Sequence, residues 1–229
     1  MDLGEQEEAD GVVTTKTFSN DVLKIEIYGP DQEHYSVIDV PGIFRNTSSG
    51  TTTKADMTMV RSMVSRYMEN PRSAMLAVIP ANVDIGTQEI LEMAKEYDPE
   101  GLRTLGVLTK PDLVDKGAEH NTMDIVEGKS HTLYLGWCIV RNLSQEHLKD
   151  SSVDRQTREN DFFATVAPWK QLPKDRVGVG ALQKRLVELL GDLIRREFPN
   201  VSMKIVLRPC RANNSNAHNF RSSRTSIRD

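Results

Sequence analysis

Cysteine is nearly absent: only Cys138 and Cys210 occur in 229 residues. Two cysteines cannot make a disulfide framework, and they fit a reducing compartment. A cationic excess is missing as well. Lys and Arg number 29 against 33 Asp and Glu, a net charge of −4 with a pI near 5.8. Binding nucleic acid without sequence preference needs a basic face, so nucleic acid is excluded as the main partner. The longest apolar runs, residues 74–80 and 102–108, fall far short of the roughly 20 residues that cross a bilayer. The opening MDLGEQEEAD is acidic, the opposite of a secretory or mitochondrial leader. What remains is an ordinary composition, 38% hydrophobic and 27% charged. Its length suits one large domain or two small ones. The expectation is a globular, cytoplasmic or nuclear protein.

Residues 1–20 hold no periodic apolar pattern and read as a poorly ordered lead-in. Residues 22–28 alternate apolar and polar, the signature of a half-buried strand. After the break at Gly29-Pro30-Asp31, residues 35–40 predict a second strand, so the pair reads as a hairpin. Met57, Val60, Met63, Val64 and Met68 recur at helical spacing over residues 54–70, with Pro71 as the stop. Residues 74–79 form a continuous apolar run, expected of a strand covered on both faces. A helix over 87–97, a strand over 104–108, a helical stretch over 123–133 and a strand over 137–140 follow. Strands alternating with helices imply an α/β fold with a mostly parallel sheet. Residues 146–176 are mostly polar, with a helix expected over 159–166. An amphipathic helix over 180–198 carries Leu182, Leu186, Leu189, Leu190, Leu193 and Ile194 on one side, with Pro199 predicted to end it. The Arg-, Asn- and Ser-rich remainder reads as a disordered basic tail. The division expected is a lead-in over 1–20, one domain over 21–200 and a tail over 201–229.

Ligands in such sheets bind at loops after the carboxyl ends of strands, and three of these loops carry polar residues of a particular kind. The first is Asp39-Val40-Pro41-Gly42. An aspartate here can hold Mg²⁺ through water, and a glycine lets a backbone N–H approach a terminal phosphate; Asp-x-Pro-Gly is equally a good turn. The second is Thr109-Lys110-Pro111-Asp112, at the end of a buried strand. The Asp112 carboxylate can accept two hydrogen bonds from N1 and N2 of guanine while the Lys110 stem lies over the base, a charge-assisted bidentate contact that adenine cannot make. The plain alternative is a turn in which Asp112 caps a helix. The third is Arg141-Asn142-Leu143-Ser144-Gln145, where Asn142 and Gln145 can close over base and ribose, or be merely polar loop. The order of the three loops, with helix–strand–helix–strand room between Asp39 and Asp112, favours a guanine-nucleotide fold.

Residues 18–200 resemble the GTPase domain of the dynamin superfamily, in particular its fungal dynamin-like and Mx-like branch. The resemblance rests on Val37-Ile38-Asp39-Val40-Pro41-Gly42-Ile43, on Pro80-Ala81-Asn82-Val83-Asp84, and on the stretch from Ala94 through Asp98-Pro99-Glu100-Gly101-Leu102-Arg103-Thr104 to Thr109-Lys110-Pro111-Asp112. It implies a three-layer P-loop GTPase-like α/β fold, with GTP or GDP and Mg²⁺ as ligands. Asp39 and Gly42 then match the switch II motif, with Asp39 toward the metal. Thr109, Lys110 and Asp112 match the guanine-specificity loop, and Asp115 a further nucleotide contact. Asn142 and Gln145 match the last base-binding loop. Asp84 matches a loop that reaches across a head-to-head G-domain dimer, although an N-cap for the helix at Thr87 explains it as well. Leu143 stands where many relatives carry a basic residue.

No Gly-x-x-x-x-Gly-Lys-[Ser/Thr] occurs in the 229 residues. Gly128-Lys129-Ser130 fails because Met123 occupies the first glycine position and a helix precedes it. Gly50-Thr51-Thr52-Thr53-Lys54 fails likewise, and no switch I threonine is identified. Without that loop the main electrostatic stabilisation of phosphoryl transfer is missing. The family's central first strand is missing with it, which leaves an open slot beside the strand at 74–79. The reading is therefore a member truncated before switch II and lacking the helical stalk. The resemblance implies GTP binding and hydrolysis linked to membrane remodelling or organelle dynamics, with turnover by this chain impaired. It also implies a G-domain homodimer or pairing with full-length relatives, and peripheral association with organelle membranes. The rival readings are a catalytically inactive interaction module and a non-functional fragment.

Overall fold

The computed structural model describes residues 8–9, 12–13, 18–30, 36–42, 52–143 and 154–206, with side chains described over 18–30, 36–42, 52–143 and 154–197. Glu8–Ala9 (β1) and Val12–Val13 (β2) make a two-residue antiparallel ladder. The structural centre is a parallel sheet of Met75–Pro80 (β3), Thr104–Thr109 (β4) and Trp137–Ile139 (β5), in the order β3-β4-β5. Met75 pairs with Thr104 and Gly106 with Trp137, so the register holds Pro80 against Thr109 and Leu108 against Ile139. Central β4 is buried along its whole length, as a strand covered on both faces must be.

Lys54–Met68 (α1) begins at a capping box: Thr53 Oγ1 accepts from Asp56 N–H at 3.2 Å, and Asp56 Oδ2 accepts from Thr53 N–H at 2.7 Å. Its Val60, Val64 and Met68, spaced by four, pack with Met75 and with Met93 and Ala94 of Glu89–Tyr97 (α2). Glu119–Val126 (α3) adds Met123, Ile125 and Val126 to a second cluster with Ile79, Leu108, Trp137 and Ile139. Phe163 of Arg155–Thr165 (α4) joins that cluster. Gly178–Val206 (α5) lies on the opposite face, where Leu189 and Leu193 pack on Leu105 and Cys138. Helices, sheet and helix make the three layers expected of the α/β fold.

The Asp98–Thr104 stretch turns out to be structural. Asp98 accepts from Leu102 N–H at 3.1 Å, Arg103 N–H at 3.0 Å and Thr104 Oγ1–H at 2.6 Å. The buried Arg103 guanidinium donates to the carbonyls of Met68 (2.8 Å), Tyr97 (2.6 Å), Ser73 (3.1 Å) and Asn70 (3.4 Å). One cation thus satisfies the orphan carbonyls at the ends of α1 and α2, where the helix dipoles also favour positive charge.

Several expectations are corrected. Neither segment of the expected hairpin is a strand: residues 21–29 and 36–42 carry no regular structure, and Val22, Ile25, Ile27 and Val37 are exposed; Tyr35 lies outside the described residues. A strand is made by its neighbours' hydrogen bonds, and β3 presents no second partner strand among the described residues. The both-faces expectation for β3 also fails, because α5 covers Leu105 and Cys138 but leaves Leu76 and Val78 exposed. The helix expected over 123–133 occupies Glu119–Val126 and stops before Gly128, whose φ of +79° is left-handed. Helix α5 runs through Pro199 to Val206. The helix continues there although proline lacks the N–H for one i→i−4 bond and its ring crowds the carbonyl four residues back.

Candidate nucleotide site

Because β3, β4 and β5 are parallel and in register, their carboxyl ends open on one edge of the sheet. Three loops leave that edge: Ala81 to Asp84 after β3, Lys110 to Asp115 after β4, and Val140 to Leu143 after β5. Thr109 is buried as the last residue of β4, and its carbonyl accepts from Ala81 N–H at 2.7 Å, joining the first two loops. Lys110 then turns left-handed at φ 56°, ψ 48°, and Pro111–Leu113 forms a single 3₁₀ turn. A non-glycine residue in this region is uncommon and marks a backbone held by its surroundings. Here the buried Pro111 supplies that hold, and the turn lifts the Lys110 side chain into solvent.

Asp112 sits in that turn with its side chain 30% exposed. It does not cap a helix by a side-chain bond; Arg141 faces it instead, Nε to Oδ1 at 3.8 Å. The Arg141 guanidinium lies 4.7 Å over the Phe162 ring. Its backbone N–H donates to Glu159 Oε1 at 2.8 Å, and Glu159 Oε2 accepts from Val179 N–H at 2.8 Å. Glu159, 2% exposed, therefore ties the loop after β5 to the start of α5 with both oxygens. Neither Glu159 nor Phe162 was flagged by sequence. Both lie on a helix expected within a mostly polar stretch, where Phe162 stood out only as an apolar break, and their effect is on a backbone N–H and a side chain far along the chain.

Asn142 is exposed on the same edge, and Asp115 is exposed one turn beyond Asp112 with its carbonyl accepting from Ala118 N–H at 3.0 Å. Gln145 lies outside the described residues. Asp84 is an N-cap, as its plainer reading had it, though of the 3₁₀ turn Ile85–Thr87 rather than of α2. Its Oδ1 accepts from Gly86 N–H at 2.9 Å, and its carbonyl accepts from Thr87 Oγ1–H at 2.8 Å. Asp39 and Gly42 lie on a segment without regular structure, not at the end of a paired strand. Val40 is the tie, packing against the α1–α2–β3 cluster. A Cβ on Gly42 would meet nothing within 4 Å, so packing does not require glycine there.

The parallel sheet thus gathers Asp84, Thr109, Lys110, Asp112, Asp115, Arg141 and Asn142 on loops at one edge, whereas Asp39 and Gly42 are carried by no strand of that sheet. For Mg²⁺, which ordinarily takes one or two carboxylates together with phosphate oxygens and water, Asp39 is the lone carboxylate expected. Among the described residues no group of three or more His, Cys, Asp or Glu side chains could hold a metal ion. The described residues do not assemble a metal site by themselves.

Residues 3–111 match the family described as the dynamin family, and residues 121–217 match the dynamin central region. Among similar proteins, the interferon-induced GTP-binding protein Mx of Perca fluviatilis is 39% identical over 178 residues, 77% of this chain and 58% of that protein. Dynamin-related protein 12A of Glycine max is 33% identical over 193 residues, 83% of this chain and 31% of its own length. The interferon-induced GTP-binding protein Mx2 of Canis lupus familiaris is 33% identical over 190 residues, 82% of this chain and 27% of its own. The chain spans 58% of the first of these relatives and about a third or less of the others.

Proposed function

Because the chain belongs to the dynamin superfamily, we propose that the edge formed by the β4 and β5 loops binds guanine nucleotide, as the core of a dynamin-type GTPase. The observation that carries this reading is the Thr109–Asp112 turn, which leaves a buried strand, turns left-handed at Lys110 and presents a partly exposed carboxylate. Asp112 takes N1 and N2 of guanine, Lys110 covers the base face, Asn142 and Gln145 close the base and ribose side, and Asp115 adds a contact. The relatives' printed names, GTP-binding proteins among them, support the same ligand.

Hydrolysis of the γ-phosphate belongs to this reading as the activity of the family. Asp39 and Gly42 are its switch II residues and Asp84 its dimer-facing residue; Asp39 is the residue that would hold a Mg²⁺ ion. Among the described residues no second ligand stands beside it. No Gly-x-x-x-x-Gly-Lys-[Ser/Thr] stands in these 229 residues to neutralise the phosphates. We therefore expect the polypeptide as given to bind guanine and turn over slowly or not at all. Peripheral membrane association, organelle remodelling, a cytoplasmic location and a G-domain homodimer extend the same reading.

A second reading, a non-hydrolysing interaction module, is favoured by one observation: the edge strand β3 leaves Leu76 and Val78 exposed. Titrating the purified, monodisperse chain with GTP, GDP and ATP separates the two, with Asp112→Asn as control. Guanine-selective binding lost in Asp112→Asn supports the nucleotide reading. A well-folded chain blind to all three nucleotides rejects it and leaves the interaction module.

A further inference from the structure

Arg141 is built into the molecule at both ends, yet no role in the reading above uses its side chain. Its backbone is gripped by the buried Glu159 carboxylate, which also holds the first turn of α5. Its guanidinium rests on Phe162 from the same helix, α4. Gly178, at φ +82°, lets the chain pass beside Glu159, where an added Cβ would stand 3.4 Å from Oε2. So a β5-loop residue is clamped against α4 and pointed at the β4 loop. What it meets there is Asp112, at 3.8 Å. Nε is buried and has no hydrogen-bond partner among the described residues. A buried donor left unpaired costs free energy, and here the contacts with Glu159 and Phe162 offset that cost and hold the side chain in place.

We propose that Arg141 is a positioning residue for guanine selection: held by Glu159 and Phe162, it fixes the Asp112 carboxylate from the protein side so that both oxygens face the N1 and N2 donors of the base. At 3.8 Å the pair attracts without forming a hydrogen bond. The carboxylate's lone pairs therefore stay available for the ligand, while the charge restrains where it points. A planar guanidinium stacked on a ring is suited to this duty, and an ammonium on a flexible stem is less so. The inference rests on the guanine-nucleotide reading, and it adds that discrimination at the 2-amino group depends on a residue that does not touch the base.

The test compares GDP with inosine diphosphate, which lacks the 2-amino group, on the full chain and on Arg141→Gln and Arg141→Lys. The expected result is a loss of about tenfold in GDP affinity for Arg141→Gln with a smaller loss for the inosine nucleotide. The GDP preference then collapses, and Arg141→Lys restores part of it. Equal losses for both nucleotides, or no loss, overturn the proposal, because a merely structural residue would weaken both alike. A second arm needs no nucleotide: urea unfolding of Arg141→Gln, Asp112→Asn and the double variant. Non-additive shifts are expected from a pair that senses each other, and strict additivity overturns the positioning role. If the parent chain binds neither nucleotide, the guanine reading fails by itself, and the unfolding cycle still decides whether Arg141 and Asp112 are coupled.

Discussion

Strand β4 and the segment at residues 22–28 are close in length, and the second is the richer in apolar residues, yet they end in opposite states. TLGVLT of β4 is buried at all six positions. In the other segment Ile25 is 75% and Ile27 74% exposed. The second segment keeps its period of two locally: Lys24 pairs with Glu26 at 2.5 Å, and Tyr28 Oη donates to Glu26 at 2.7 Å. These contacts, the Lys24 one above all, hold the exposed Glu26 carboxyl below its ordinary value. What it lacks is a ladder. Strand β4 has β3 on one side and β5 on the other, and helices on both faces. The lesson is that alternation marks which side chains can share a face, whereas neighbours decide whether a face exists.

The largest expected break in this contrast is Arg103→Ala. It strips four carbonyls of their donor in the buried joint between α1, α2 and β4. A loss of about 3–5 kcal/mol in urea unfolding is expected, and a loss under about 1 kcal/mol would show that water replaces the guanidinium. Gly106→Ala comes next. An added Cβ would stand 2.2 Å from Trp137 Cε3, and overpacking of this kind costs about 1–3 kcal/mol; a thermal midpoint equal to the parent's would refute the close packing of β4 on β5.

A smaller effect concerns alkaline pH. Burial pushes the Cys138 thiol above its ordinary value of 9.0, with Arg185 opposing. The folded state then holds the proton more tightly than the unfolded one. Stability is fully present below about pH 9 and declines as pH rises from there through the folded value. Cys138→Ala should flatten that alkaline slope in urea midpoints measured from pH 8 to 10.5, and an unchanged slope would assign it elsewhere. The smallest effect is expected at the other pole of the comparison. Ile25→Ser should change stability by no more than about 0.5 kcal/mol. A larger loss would mean that residues 22–28 pair with something in solution.

The candidate site divides in the same way. The Thr109–Asp112 loop was legible because its chemistry is local: a buried strand, then a lysine and an aspartate at fixed spacing. Asp84 as a cap was legible for the same reason. The Asp39–Gly42 motif was equally visible, but the strand expected to carry it depends on pairing that residues 36–42 do not make here. Glu159, Phe162 and Arg141 were invisible as a unit. Their contacts join residues 18 to 21 positions apart, with no pattern in the letters to announce it. The Asp98–Arg103 signature was noticed as a resemblance, and its physical meaning, a buried cation closing two helices, needed coordinates.

By itself, then, the sequence determined the elements whose stability is local or one-faced: capped helix α1, the apolar runs of β3, β4 and β5, the amphipathic stripe of α5, and the turn after β4. Tertiary structure alone decided which apolar runs became strands, how far α5 continued past Pro199, and which side chain stands behind Asp112. The reason is that a helix satisfies its own backbone and a turn its own geometry. A strand, an ion pair and a buried guanidinium take their partners from elsewhere in the chain.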